Sequence, residues 1–128
     1  MATSPSTPQA LQSIHDLASQ WGKIIARRAY GVSGPPPDCD LLAMEQVAQA
    51  AAQGVLEGTL TVLLEQQAQA LAEPQPCPQC QQPCRVDHEP RTLHCRGGTL
   101  TYYEPVCHCS ACRRAFFPLA TALASGRP

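Results

Sequence analysis

Two Cys-x-x-Cys motifs are the residues of this sequence best placed to do chemistry. They are Cys77/Cys80 and Cys109/Cys112, and residues 81–108 separate them. A gap of two residues lets one tight turn point two sulfurs at the same ion, and Zn²⁺ favours four such thiolates in a tetrahedron. Two motifs that bracket a hairpin region are typical of a zinc ribbon. We therefore predict a Zn²⁺ cofactor bound by Cys77, Cys80, Cys109 and Cys112.

The predicted site is structural. Four thiolates complete the coordination of the ion and leave no position for a water or a substrate. The sequence shows no nucleophile paired with a base, no phosphate-binding loop and no carboxylate cluster. We accordingly predict a protein that is not an enzyme and has no small-molecule substrate.

Other cysteines and histidines compete for the metal. Cys107 precedes Cys109 by two residues, so Cys107/Cys109 is an alternative second pair. A second site is possible if further side chains converge on one side of the sheet: Cys84, Cys95 and Cys107 with His88, His94 or His108. A redox dithiol at Cys77/Cys80, or disulfides, would explain the same spacing. These alternatives stay open on the sequence alone.

The predicted cellular compartment favours metal binding by the cysteines over disulfide formation. Residues 1–8 lack the basic start and apolar run of a signal peptide, and no segment holds 18 or more consecutive apolar residues. The sequence thus predicts a cytoplasmic protein with no membrane partner. In a reducing compartment, paired Cys-x-x-Cys motifs indicate metal binding before disulfides.

The residues before the cysteine segment have helical periodicity. Apolar side chains recur at three- and four-residue steps over 8–30, and Thr7 and Pro8 suit the start of a helix. Three consecutive prolines at 35–37 interrupt the pattern. Asp38 or Asp40 then caps a second helix, predicted over 39–72. We expect Trp21 to be a packing anchor on the stripe and Cys39 to be a minor packing residue.

The second predicted helix has more apolar surface than one contact needs. Gly54 and Gly58 would permit close approach of the first helix. The surplus face could instead form a homodimer through the 39–72 helix. Core packing and dimerisation explain the same pattern, so both remain predictions.

The cysteine segment itself predicts short antiparallel strands. They cover 84–88, 91–95, 99–104 and 113–117, with turns at Glu89-Pro90 and at residues 96–98. Phe116 and Phe117 are expected to pack beside the metal. The fold class is therefore small α+β, an N-terminal helical hairpin followed by an antiparallel zinc ribbon. The predicted domains are a tail (1–8), the hairpin (9–73), the ribbon (74–119) and a second tail (120–128).

Charge differs between the two halves of the chain. The net charge is −1, but residues 1–73 hold three basic against seven acidic side chains, giving −4, while residues 74–128 hold six against three, giving +3. A basic ribbon suggests a polyanionic partner. The side chains predicted to contact nucleic acid are Arg85, Arg91, Arg96, Arg113 and Arg114.

The segment 104–118 resembles the N-terminal region of the transposases encoded by ISKra-type insertion sequences. These are mobile elements of bacterial type. Those proteins have a Cys-Pro-x-Cys turn, a hairpin with glycine and a closing Cys-x-x-Cys-Arg-Arg-x-Phe-Phe-Pro. Here the motif positions are Cys77, Cys80, Gly97 or Gly98, Tyr102, Glu104-Pro105, Cys109 and Cys112. The resemblance covers about 38–119 and implies DNA as the partner.

The resemblance does not extend to catalysis. The family continues into an RNase H-like domain with metal-binding acidic residues, which this sequence lacks, and Ala120 stands where the family often has aspartate. The resemblance thus implies a transposase-related, non-catalytic nucleic-acid-binding module. The alternative is a zinc-stabilised protein-interaction or dimerisation adaptor.

Overall fold

A computed structural model describes residues 6–119. The chain forms two compact units, Met1–Ala51 and Ala52–Pro128. The boundary between them lies inside a helix, whereas the linker composition predicts a domain boundary at 73/74. The predicted tails, 1–8 and 120–128, lie outside the described residues except for 6–8.

The first unit begins with two short helices, α1 (Pro8–Gln20) and α2 (Gly22–Tyr30). The Thr7 hydroxyl accepts a hydrogen bond from Ala10 N at 3.2 Å, so the predicted cap is confirmed. The sequence predicts one helix over 8–30, but the structure bends at Trp21. Its N–H donates to Ala18 O at 3.1 Å, a tighter turn than α-helix, and Gly22, a weak helix former, follows.

The third helix, α3 (Leu41–Gln69), is shorter than the predicted 39–72 at both ends. Asp40 is its cap, since its carboxylate accepts from Ala43 N at 2.9 Å. By length and composition α3 could also cross a membrane, and it is the one such helix in residues 6–119. A single helix of this kind is weak evidence of a membrane span, because core helices of soluble proteins can have the same length and composition.

The second unit contains two antiparallel sheets. A small one pairs β1 (Gln75–Pro76) with β2 (Pro83–Cys84). The larger has the order β3-β4-β5, formed by β3 (Val86–Cys95), β4 (Gly98–Cys109) and β5 (Arg114–Phe116). This arrangement confirms the predicted small α+β class with antiparallel sheets.

The predicted turn at Glu89-Pro90 does not form. β3 runs straight through it, with Pro90 opposite Tyr103 in the register. Proline cannot donate a backbone hydrogen bond, and a strand can accept it only at a sheet edge. β3 is an edge strand, so Pro90 is tolerated and two predicted strands become one.

One end of the large sheet packs against α3. Leu64 of the helix, Leu93 of β3 and Leu100 and Tyr102 of β4 form a buried cluster. The hairpin turn also approaches the helix, because a Cβ added to Gly97 would collide with the Leu56 side chain. Glycine is thus needed at this turn for close approach to α3 as well as for the turn itself.

The apolar stripe of α1 and α2 is not buried as a core. Its five large side chains are 52–59% exposed: Leu11, Ile14, Leu17, Trp21 and Ile24. In the described residues, a Cβ on Gly54 or Gly58 would meet nothing within 4 Å. The predicted close approach of the first helix at these glycines stays a prediction. Trp21, the predicted packing anchor, is 55% exposed and is not part of a buried core.

Candidate metal centre

The two Cys-x-x-Cys motifs form turns of the same construction. In each, the residue after the second cysteine donates a backbone hydrogen bond to the first: Gln81 N to Cys77 O at 2.9 Å, and Arg113 N to Cys109 O at 2.7 Å. Both donors are left-handed, with φ of 64° at Gln81 and 57° at Arg113. The first turn joins β1 to β2, and the second joins β4 to β5.

The structure brings the four predicted ligands together. The sulfurs of Cys77, Cys80, Cys109 and Cys112 all lie within 4.8 Å of one another. Across the two turns, Cys77 Sγ lies 3.9 Å from Cys112 Sγ, and Cys80 Sγ lies 3.5 Å from Cys109 Sγ. A tetrahedral ion with metal–sulfur bonds of about 2.3 Å has sulfur–sulfur edges of about 3.8 Å. The four cysteines therefore form a group that could hold a metal ion.

Backbone N–H groups donate hydrogen bonds to cysteine sulfurs in both turns and thereby favour the thiolate form, which binds cations. Cys112 N donates to Cys109 Sγ at 3.3 Å. This bond from Cys112, opposed by burial and helped by Cys80 and Cys77, lowers the pKa of Cys109 to about 6. Hydrogen bonds from the Cys80 and Gln79 backbone likewise lower the pKa of Cys77. Each turn therefore offers its first cysteine as a stabilised thiolate.

The pKa of Cys112, the second cysteine of the same turn, is shifted in the opposite direction. Its interaction with the Cys80 side chain, followed by burial, raises the pKa of Cys112 to about 12. In the metal-free protein Cys109 therefore contributes stability at high pH, which is lost as the pH falls through about 6. Metal binding replaces the proton on Cys112, so binding should release protons and weaken in acid.

Two further cysteines line the centre without joining the four. Cys84 and Cys107 are 3% and 0% exposed, and they pack with Cys77 and Cys109 in one buried cluster. The Cys84 thiol donates to Gln82 O at 3.3 Å. Burial, followed by its contact with Cys109, raises the pKa of Cys84 to about 11. Cys84 is thus a neutral thiol beside the site.

The alternative ligand sets are not assembled. Cys107 lies opposite Val86 and Phe116 in the sheet. The Cys109 sulfur instead lies close to those of the other three candidate ligands. Cys95 lies at the opposite end of β3, where its thiol donates to Gly98 O at 3.2 Å. His108 faces Glu89 at 3.7 Å. Among residues 6–119, the four-cysteine group is the one cluster of metal-ligating side chains.

The arginines predicted to contact nucleic acid lie in different environments. Arg91 Nε contacts Glu104 Oε2 at 2.5 Å, and its guanidinium lies 4.7 Å from the centre of the Phe117 ring. Glu104 is 1% exposed, so Arg91 neutralises a buried carboxylate. Arg85 pairs with Asp87 at 3.5 Å at the surface. The burial of Glu104 was not predicted. The alternation of β4 indicates it, because Leu100, Tyr102 and Glu104 are buried while Thr101 and Tyr103 are exposed.

The two phenylalanines have different neighbours. Phe116 is half-buried against the cysteine cluster, and Phe117 stacks with Arg91. Phe116 therefore packs beside the candidate metal centre as predicted, whereas the observed contact of Phe117 is with Arg91.

Comparison of the chain with protein-family models, with curated proteins and with solved structures finds no match. The resemblance to transposases therefore stays a prediction.

A substitution in the first turn tests its strain. Gln81→Gly should raise the free energy of unfolding of the metal-loaded protein by about 0.5–1 kcal/mol, because glycine adopts a left-handed conformation without steric cost. Urea denaturation, followed by circular dichroism, measures the change. Gln82→Gly is the control: its φ is not left-handed, so it should destabilise by a similar amount. Equal effects of both variants would contradict the turn geometry.

Proposed function

We propose that this protein is a non-catalytic nucleic-acid-binding module built on a structural zinc ribbon. The observation that carries the proposal is the group of four cysteine sulfurs within 4.8 Å, supplied by two equivalent turns at one end of the sheet. The partner is proposed from charge and from the transposase resemblance.

The donor set supports zinc. Four thiolates in a tetrahedron suit Zn²⁺, while oxygen-seeking ions such as Mg²⁺ and Ca²⁺ need carboxylates and carbonyls. When bound, the ion supplies a four-way cross-link between the β1–β2 turn and the β4–β5 turn. The four sulfurs would complete its coordination, which supports a structural rather than a catalytic role.

The basic surface proposed for nucleic acid lies at the metal end of the sheet. Arg85 immediately precedes β3, Arg113 immediately precedes β5, and Arg114 is the first residue of β5. The register places Val86, Cys107 and Phe116 side by side, so the three arginines share one end. Arg85 has a side chain that is 83% exposed, and Arg113 and Arg114 are exposed. Three guanidinium groups near one another suit phosphate contacts.

The remaining two predicted arginines differ from these three. Arg91 is engaged by Glu104. Arg96 lies in the turn between β3 and β4, at the other end of a ten-residue strand that is about 30 Å long. It would reach a different part of a duplex. We therefore place the main phosphate contacts at Arg85, Arg113 and Arg114.

Salt dependence tests this proposal. Fluorescence anisotropy with a labelled DNA duplex should give affinity that falls with salt, with a slope of log K against log[salt] near −3, or about −0.9 for each phosphate neutralised. The variant Arg113→Ala/Arg114→Ala should reduce that slope by about 2. The zinc content should not change, because neither arginine is a ligand.

Arg96→Ala provides the matched control, since it removes one exposed arginine from the far end of the sheet. It should alter the slope by less than half of the effect of the double variant. Failure of the zinc-loaded protein to bind duplex or single-stranded DNA at low salt would refute the nucleic-acid proposal, and the metal site would stand unaffected.

A further inference from the structure

The N-terminal helices carry an apolar stripe whose large side chains are each more than half exposed. The stripe runs along both α1 and α2, and its middle is Leu17 and Trp21, which are 59% and 55% exposed. The neighbouring start of α3 is also uncovered: Leu41, Leu42 and Met44 are 68%, 62% and 38% exposed. These apolar surfaces thus do not cover each other within one copy.

Their area is large enough for an interface. Six large apolar side chains of α3 are exposed in addition to the five of the stripe: Leu41, Leu42, Met44, Val55, Val62 and Leu63. At about 100 Å² for each such side chain, the two helical surfaces of one copy together expose on the order of 1,000 Å². A standard interface buries about 800 Å² from each partner.

Charge indicates which surfaces would pair. α1 and α2 carry Lys23, Arg27 and Arg28 against Asp16, a net charge of +2. α3 carries three glutamates and no basic residue, a net charge of −3. Pairing α3 with another α3 would bring like charges together, whereas pairing α1–α2 with α3 joins opposite charges.

We infer that the occupant of the stripe is a second copy of this chain. The α1–α2 stripe of one copy lies on α3 of the other, and the reciprocal contact forms at the same time, so that the helices of two copies build one bundle. This arrangement is a closed dimer with the same contact made twice. The inference stands on the helices alone and does not depend on the nucleic-acid proposal.

Light scattering of the zinc-loaded chain tests the inference. The expected result is a mass that rises from monomer to dimer with concentration, together with a blue shift of the fluorescence of Trp21, the one tryptophan of the sequence. Leu17→Asp should weaken the dimer by about 100-fold, because a charge replaces a buried leucine in both copies of the contact. Ser19→Asp adds the same charge to α1 away from the stripe and should leave the dimer intact.

A mixture of two charge-reversed chains tests which helices pair. One chain carries Arg27→Glu and Arg28→Glu, and the other carries Glu45→Lys and Glu57→Lys. Each alone should dimerise at least about 10-fold more weakly than the unmodified chain, and the mixture should recover heterodimers. Circular dichroism confirms that each variant remains helical.

The opposing outcomes are distinct. A monomer at all concentrations would overturn the inference, whether Trp21 remains exposed or is buried by α3 of its own chain. A monomer that binds phosphatidylcholine vesicles through Trp21 would assign the stripe to a lipid surface instead. Normal dimerisation of the Arg27→Glu/Arg28→Glu chain would show that α1–α2 does not pair with α3.

Discussion

Cys80→Ser should abolish zinc binding and unfold the sheets while α1 and α2 remain helical. Apart from cysteines, the buried apolar core of the described second unit is small, namely Leu64, Leu93, Leu100, Tyr102 and Val106. Structural zinc contributes about 10–16 kcal/mol to the folding of small domains, which exceeds the net stability that most proteins have. The loss of one of four sulfurs removes most of that contribution.

Two measurements check this result together. Zinc should fall from about one ion per chain to almost none, and the dispersed amide signals of the strands should collapse in a two-dimensional NMR spectrum. The matched control is Cys95→Ser, which removes a thiol at the other end of the same sheet and should retain zinc and dispersion. A Cys80→Ser protein that keeps both would contradict the assignment of the ligands.

Arg91→Leu should destabilise the zinc-loaded protein by about 3–5 kcal/mol. Glu104 is 1% exposed and its carboxylate contacts Arg91. Removing one partner of a buried ion pair leaves the other charge buried without compensation, which costs far more than the pair itself contributes. Equilibrium denaturation with urea gives the free energy of unfolding directly.

The double variant Arg91→Leu/Glu104→Leu separates charge from packing. It should recover much of the lost stability, since apolar residues often replace a buried ion pair at little cost. Arg85→Leu is the control for an exposed pair: the Arg85 and Asp87 side chains are 83% and 49% exposed, so its effect should stay within about 1 kcal/mol. If Arg91→Leu and Arg85→Leu are equally mild, Glu104 does not depend on Arg91.

The sequence predicts the metal ligands because their spacing is a local property. A Cys-x-x-Cys turn brings two sulfurs together whatever surrounds it, and both turns form as expected. The left-handed residues Gln81 and Arg113 were not predicted, because neither residue type favours that conformation. The conformation accompanies the turn itself, in which each of these residues donates a backbone hydrogen bond to the first cysteine of its motif. Likewise, Pro90 indicates a turn locally, and only its place on an edge strand explains why the strand continues.

For the helices, the sequence predicts the elements but not the surfaces against which they pack. Periodicity predicts that α1, α2 and α3 each have an apolar face, and the structure confirms the helices with shifted ends and a bend at Trp21. Periodicity does not specify what covers such a face. The packing of the first helix at Gly54 and Gly58 therefore stays a prediction, since the same stripe suits an internal core or a second molecule.

Strand β4 belongs to both buried clusters of its unit. Leu100 and Tyr102 contact the α3 side, and Cys107 and Cys109 line the metal centre, all within one twelve-residue strand. A continuous antiparallel pairing with β3 runs along β4 between these two clusters. We therefore expect that removing a metal from the four cysteines would also weaken the packing of the sheet on α3.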